Sequence, residues 1–124
     1  MIKAISEQPP YKTLFTNGKS VSFSDTTADK GGGGTGFRPH ELLEAALASC
    51  MNMYLSMFAQ EHSIPLSSIS TTVILDRSMP NEVCFEYSVD LSGDLSETDR
   101  RRLLDEIKSC PLRQTLSKKV TFRG

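Results

Sequence analysis

The sequence predicts an α+β fold in a single domain spanning residues 1–124. Three observations carry this. Apolar residues alternate with period two before residue 24 and again over 83–91, a long apolar helix runs from Pro39 to about residue 62, and an amphipathic helix covers 97–109. Strands, long helix, two strands, helix and strand is an α+β order in which antiparallel pairing is expected. With 124 residues, 38% of them hydrophobic and 23% charged, the chain suffices for one core but leaves much of its surface wet. Dimerisation would be a natural way to bury more.

Residues 2–24 are strand-like, with a break at Pro9-Pro10. Phe15, then Val21 and Phe23, alternate with polar positions, and Asn17-Gly18 between them signals a hairpin turn. Residues 25–36 are polar, carry Gly31 to Gly34 and predict a flexible loop. A phosphate cradle is the sharper reading of those glycines. Such a loop ends in Gly-Lys-Ser/Thr, whereas this one ends Gly36-Phe37-Arg38, so a mobile entry loop is the plainer expectation.

Pro39 suits the first turn of a helix, where its missing N–H would have no partner anyway. Leu42, Leu43, Ala46, Leu47, Met51, Tyr54, Leu55 and Phe58 spread apolar character round most of the circumference, which predicts a buried helix. A narrow polar stripe remains at Ser49, Asn52, Ser56 and Gln60, and Ile64-Pro65 ends the helix. Residues 69–77 and 83–91 read as two strands joined around Pro80-Asn81. In the second, Val83, Phe85, Tyr87, Val89 and Leu91 alternate as on a half-buried antiparallel strand. Gly93 turns the chain, and Ser96 is a good N-cap for a helix with Leu103, Leu104 and Ile107 inward. After Cys110-Pro111 another helical turn is expected, and a last strand over 120–122 closes the domain.

A net charge of −1 gives no support for nucleic-acid or anionic-membrane binding. No basic segment followed by an apolar run opens the chain, and no apolar run approaches the roughly 20 residues of a membrane helix. The three cysteines lack the dense spacing of a secreted scaffold. A reducing, cytoplasmic setting is therefore expected, in which cysteines act as reactive thiols or metal ligands rather than structural disulfides.

Cys50 lies in the middle of the long helix beside Leu43, Ala46, Leu47, Met53, Tyr54 and Met57, so a small core residue is one reading and a reactive thiol the other. Cys110 sits where the second helix ends, with Pro111 beginning the next. A thiol there faces unpaired N–H groups that stabilise its thiolate, unless it is an incidental cap residue. Cys84 shares a strand face with Glu86, Ser88 and Asp90 and has no basic neighbour, so it reads as structural or incidental. Zinc favours close ligand pairs, and Cys50, Cys110, His40 and His62 are scattered, so no metal and no cofactor is expected. A thiol hydrolase would need a base and an orienting group, and no motif places either histidine as one.

Pro39-His40-Glu41-Leu42-Leu43-Glu44-Ala45-Ala46-Leu47-Ala48-Ser49-Cys50 resembles the Pro-x-Glu-Leu-Leu-x-Ala-Ala-x-x-x-Cys entry into the central helix of the OsmC/Ohr family of organic-hydroperoxide reductases. Cys110-Pro111-Leu112, followed by Thr115-Leu116, resembles the family's second cysteine motif, and residues 69–76 resemble the strand after its helix. The element order agrees from about residue 12 onward. Together the two cysteine motifs are specific. The resemblance implies an intertwined homodimer, with long central helices wrapped by antiparallel sheets and sites at the subunit interface. It implies that Cys50 is the peroxidatic and Cys110 the resolving cysteine, with an organic hydroperoxide as substrate and an external dithiol as reductant. In that chemistry a Cys50 thiolate cleaves the peroxide O–O bond to give a sulfenic acid. Cys110 condenses with it to a disulfide before over-oxidation, and the external thiol reduces the disulfide.

Apolar surroundings disfavour a thiolate, so the chemistry asks for a nearby positive charge. Well-characterised family members use an Arg from the N-terminal strands, held by a Glu ten residues before the first cysteine. Here His40 stands at that position with Glu41 beside it, and no Arg precedes residue 38. The earlier basic residues are Lys3, Lys12, Lys19 and Lys30. Nine helical residues rise roughly 13–14 Å and turn the side chain to about the opposite face. Glu41 would thus act through a bridging cation or across a dimer, or serve only as a first-turn partner of the helix dipole. Arg38, ahead of Lys19, is the candidate cation, since a guanidinium can bridge a thiolate and the carboxylate of Glu41 or Glu44. An OsmC-like stress-associated or small-molecule-binding dimer without efficient peroxidase activity is the alternative function.

Overall fold

In the computed structural model, which describes residues 1–124, the chain forms two compact units, Met1–Leu43 and Glu44–Gly124. The first begins with a three-stranded antiparallel sheet of β1 (Lys3–Ser6), β2 (Thr13–Thr16) and β3 (Val21–Ser24). The turn expected at Asn17-Gly18 joins β2 and β3. Asn17 Oδ1 accepts from the amides of Lys19 and Ser20 at 2.9 and 2.8 Å, and Gly18 takes φ 95°, which a side chain would resist. Leu14 stands opposite Phe23 and Phe15 opposite Ser22, so Phe15 faces away from Phe23.

Residues 25–36 do not form the phosphate cradle that is the sharper reading of their glycines. They wrap a buried carboxylate, Asp25, which accepts from the amides of Thr26 at 2.8 Å, Gly33 at 3.2 Å and Thr35 at 3.1 Å. Gly32 is required by closeness, because a Cβ there would strike the Thr26 carbonyl. The amides that might have held a phosphate are engaged within the chain, Gly33 by Asp25, and Gly31, Gly32 and Gly34 by the carbonyls of Ala28, Thr27 and Thr26. The Thr35 amide foremost, against the opposing effect of burial, holds the Asp25 carboxyl below its ordinary value of 3.8.

Pro39 opens α1 (Pro39–Glu61), whose first turn belongs to the first unit and whose remainder is the spine of the second. Its C-terminus closes with Ser63 at φ 53° and bonds from the Ser63 and Ile64 amides to the Gln60 and Ala59 carbonyls, a Schellman cap that turns the chain at the predicted place. β4 (Leu66–Asp76) and β5 (Cys84–Gly93) pair antiparallel, with Ile69, Thr71, Val73 and Leu75 opposite Leu91, Val89, Tyr87 and Phe85. Ser96 caps α2 (Glu97–Glu106), its hydroxyl accepting from the Asp99 amide at 3.0 Å. A 3-10 turn over Ile107–Ser109 leads to Cys110, the N-cap of α3 (Pro111–Leu116). The fold is α+β with antiparallel sheets.

Leu47, Met51, Leu55 and Ala59 of α1 form the core with Ile64, Leu91, Leu103, Ile107 and Cys110. Several expectations need correction. α1 is buried along one row only, and Met53 and Met57 are each 61% exposed, because a single chain packs only one side of it. An 18-residue window of the 23-residue α1 reaches a mean hydropathy of 1.3, long and apolar enough for a membrane span. Its buried row nonetheless makes it the core helix of this fold. Residues 120–122 form no strand, and Phe122 is 95% exposed. β-propensity is expressed only where a neighbouring ladder receives it, and this segment finds none. Leu104, expected inward with Leu103 and Ile107, is 42% exposed, since it lies one position round α2 from the buried row.

A carboxyl whose folded pKa is depressed contributes stability above its ordinary value and loses it as pH falls through the folded value. The amides of Gly33 and Thr35 should therefore keep their hydrogen-exchange protection at neutral pH and lose it progressively below pH 3.8. Asp25→Ala should leave both amides unprotected throughout, and Asp25→Asn should remove the acid dependence.

Candidate functional site

Cys50, half-buried on α1, and Cys110, fully buried at the cap of α3, are 60 residues apart in sequence. The fold brings their sulfurs to 3.3 Å, with the Cys110 thiol donating to Cys50 Sγ. Local chemistry prepares this. Leu103 and Ile107 anchor α2 in the core, and the 3-10 turn brings the Cys110 amide to the Ile107 carbonyl at 3.0 Å. Pro111 then starts a new helix, where its lack of an N–H costs nothing.

The electrostatics of Cys110 differ from the thiolate stabilisation expected at a helix N-terminus. Burial raises its pKa above the ordinary 9.0, the amide of Arg113 pulls down, the neighbouring Cys50 thiol raises it further, and the amide of Leu112 pulls down again. Burial prevails because α3 is a helix of only six residues, while the sulfur is wholly shielded from water. Cys110 therefore stays a protonated thiol near neutral pH.

Cys50 opens onto a groove of about 370 Å³ lined by Ala46, Ser49, Cys50, Met53, Tyr54, Met57 and Pro111. Cys84 is free and exposed at the first residue of β5, on the strand face expected for it. Glu41 accepts from the Arg38 amide at 3.1 Å and from Arg38 Nε at 2.7 Å. This is the reach of an N3 glutamate back to its N-cap, and the guanidinium holds the Glu41 carboxyl below its ordinary value of 4.5. Glu44 instead accepts from the Leu75 amide at 2.9 Å, which ties α1 to β4. The structure thus forms two separate pairs, Cys50 with Cys110 and Arg38 with Glu41.

Sequence reasoning missed two contacts in the second unit. Asn52 of the polar stripe accepts from Thr71 Oγ1 at 2.6 Å, so part of that stripe faces β4 rather than solvent. Tyr54 donates to Glu106 Oε1 at 2.6 Å. The available signal was position, since Tyr54 stands one helical turn after Cys50 and Glu106 four residues before Cys110.

The profile of the OsmC-like protein family matches residues 31–123. No curated sequence relative matches the chain. Among solved structures, the OsmC like protein from Mycoplasma pneumoniae superposes with a TM-score of 0.78 at 20% identity, covering 94% of this chain and 85% of that one. An organic hydroperoxide resistance protein from Legionella pneumophila gives 0.67 at 20% identity, with coverages of 94% and 88%. The organic hydroperoxide resistance protein OhrB of Bacillus subtilis gives 0.66 at 20% identity, with coverages of 97% and 91%. At these identities the structural likeness speaks to fold alone. The family profile extends over both cysteines and most of the chain, and on that match the chain belongs to the OsmC-like protein family.

Proposed function

We propose that this protein is a thiol-dependent peroxidase that reduces organic hydroperoxides, with Cys50 as the peroxidatic cysteine and Cys110 as the resolving one. The observation that carries the reading is the 3.3 Å approach of the two free thiols inside a folded core. Exposure divides the roles. Cys50 opens onto the groove, whereas Cys110 is shielded and held protonated by burial. The Cys50 thiolate attacks the distal peroxide oxygen, the O–O bond breaks, and the alkoxide leaves as an alcohol after taking a proton. Cys50 is then a sulfenic acid. The Cys110 sulfur attacks the Cys50 sulfur, forming the disulfide and releasing water. An external dithiol returns both sulfurs to thiols by exchange.

The methionine, tyrosine and alanine lining of the groove suits an alkyl or aryl peroxide better than hydrogen peroxide, whose hydration it could not replace. Two of the structural neighbours bear the name organic hydroperoxide resistance protein, which agrees with this substrate class. A second copy of the chain is our choice for the cover of the exposed Met53 and Met57, giving the intertwined homodimer implied by the family resemblance.

The absence of any Arg before residue 38 favours a second reading, a small-molecule-binding dimer without efficient turnover. Titration with cumene hydroperoxide separates the two, since a peroxidase rapidly loses the Cys50 and Cys110 thiols and a binder loses neither. Cys50→Ser should abolish peroxide consumption. Cys110→Ser should permit one oxidation and then accumulate the sulfinic acid by mass spectrometry, and Cys84→Ser should leave activity unchanged. Loss of activity in Cys84→Ser alone would overturn the assignment. Sedimentation at micromolar concentration should give twice the chain mass, and Met53→Glu should shift the population to monomer.

A further inference from the structure

The hydrogen bond between Tyr54 and Glu106 lies outside the chemistry described above, yet it joins the two segments that carry the sulfurs. Tyr54 is four residues after Cys50 on α1, so the two side chains lie on one face, a turn apart. Glu106 is the last residue of α2, and only the 3-10 turn Ile107–Ser109 separates it from Cys110. The phenol donates to Glu106 Oε1 at 2.6 Å, a short bond to an ionisable acceptor. Tyr54 is half-buried and also lines the groove beside Cys50, and Glu106 is half-buried. Leu103 and Ile107 anchor the α2 end in the core, Arg100 donates to the Leu91 carbonyl at 3.3 Å, and Arg102 lies over the Phe58 ring at 5.7 Å. Of the two arginine contacts and the Tyr54–Glu106 bond, the last lies nearest Cys110 along the chain, and the Tyr54 hydroxyl also meets Ser109, the residue before Cys110.

We infer that Tyr54 is a positioning residue for disulfide formation, holding through Glu106 the turn that keeps the Cys110 thiol against Cys50. The inference rests on the assignment of Cys110 as the resolving thiol. In the step concerned, the Cys110 sulfur attacks the sulfenic sulfur of Cys50. The S–S bond forms, the S–OH bond breaks, and the departing hydroxide leaves as water with the Cys110 proton. Bonded sulfurs lie about 2.0 Å apart, so the approach from 3.3 Å is a small motion of a segment already aimed. Burial keeps Cys110 protonated, and a neutral thiol depends on that aim more than a freely ionised one would. Attack of peroxide on Cys50 makes no demand on the clamp. Accordingly, the bond between Tyr54 and Glu106 serves the second step.

The test uses the full chain with Tyr54→Phe, which removes only the hydroxyl, Glu106→Leu, which removes the acceptor, and Glu106→Gln, whose amide oxygen still accepts. Stopped-flow oxidation by cumene hydroperoxide in the presence of dimedone reads both steps. The first should proceed at the wild-type rate in the two Glu106 variants, while Tyr54→Phe, which alters the groove lining, is read by the ratio of its second step to its own first. Disulfide formation should slow by about tenfold or more in Tyr54→Phe and Glu106→Leu, with dimedone-trapped sulfenic acid rising in proportion, while Glu106→Gln stays near wild type. A glutathione redox titration of the same proteins, with no peroxide, should show the Cys50–Cys110 disulfide disfavoured in the first two variants by a similar factor. Wild-type partition and wild-type glutathione equilibrium in both Tyr54→Phe and Glu106→Leu would overturn the inference. If wild type consumes no peroxide yet the glutathione equilibrium shifts as expected, the peroxidase reading fails and the positioning role stands.

Discussion

The structure of the second unit depends on one row of α1. Leu47, Met51, Leu55 and Ala59 recur every four residues and meet Leu91 of β5, Leu103 and Ile107 of the α2 end, and Cys110. Burying a side chain the size of Leu or Met is worth roughly 1.5–3 kcal/mol, so three of them in one row weigh heavily against the few kcal/mol by which a small domain is stable. The row also fixes the rotation of α1. Once Met51 faces the core, Cys50 is carried to the edge of the buried region and Met53 and Met57 to the outside. The half-exposed thiol and the methionine-lined groove follow from that rotation, with no separate device needed to create them.

The same packing gives two chemically identical side chains different properties. Cys110 closes the core and is held neutral by burial, although it caps a helix whose amides pull the other way. Cys50, one sulfur diameter away, faces a groove that a substrate can enter. A division into an attacking and a resolving thiol thus needs only unequal burial. Polar bonds then set positions that apolar contacts leave loose. Glu44 ties α1 to the Leu75 amide of β4, Asn52 ties it to Thr71, and Tyr54 ties it to the end of α2.

The first unit is organised by a different economy. Its strands are four residues each, too short to bury much, and its longest connection is rich in glycine. Order comes from a carboxylate that gathers three amides of the loop. At the end of that unit Glu41 reaches back to Arg38 and closes the first turn of α1. That bond serves as a cap and also leaves a guanidinium held in one orientation.

The residues by themselves determined the periodicities, and with them most of the elements. The Asn17-Gly18 turn, the start of α1 at Pro39, its end before Pro65, the alternating face of β5 and the Ser96 cap each rest on a local rule that operates within a few residues. The two cysteine motifs were likewise legible, because each is a contiguous string. Only the tertiary structure decided that sulfurs 60 residues apart meet at 3.3 Å, that burial outweighs the helix N-terminus at Cys110, that Tyr54 belongs to Glu106, and that Asp25 occupies the glycine loop. It also left residues 120–122 without a strand and turned Leu104 and Met53 outward. These are outcomes of distance and competition between segments. Periodicity says that a helix has an apolar side, but only the packed partners determine how much of that side is covered.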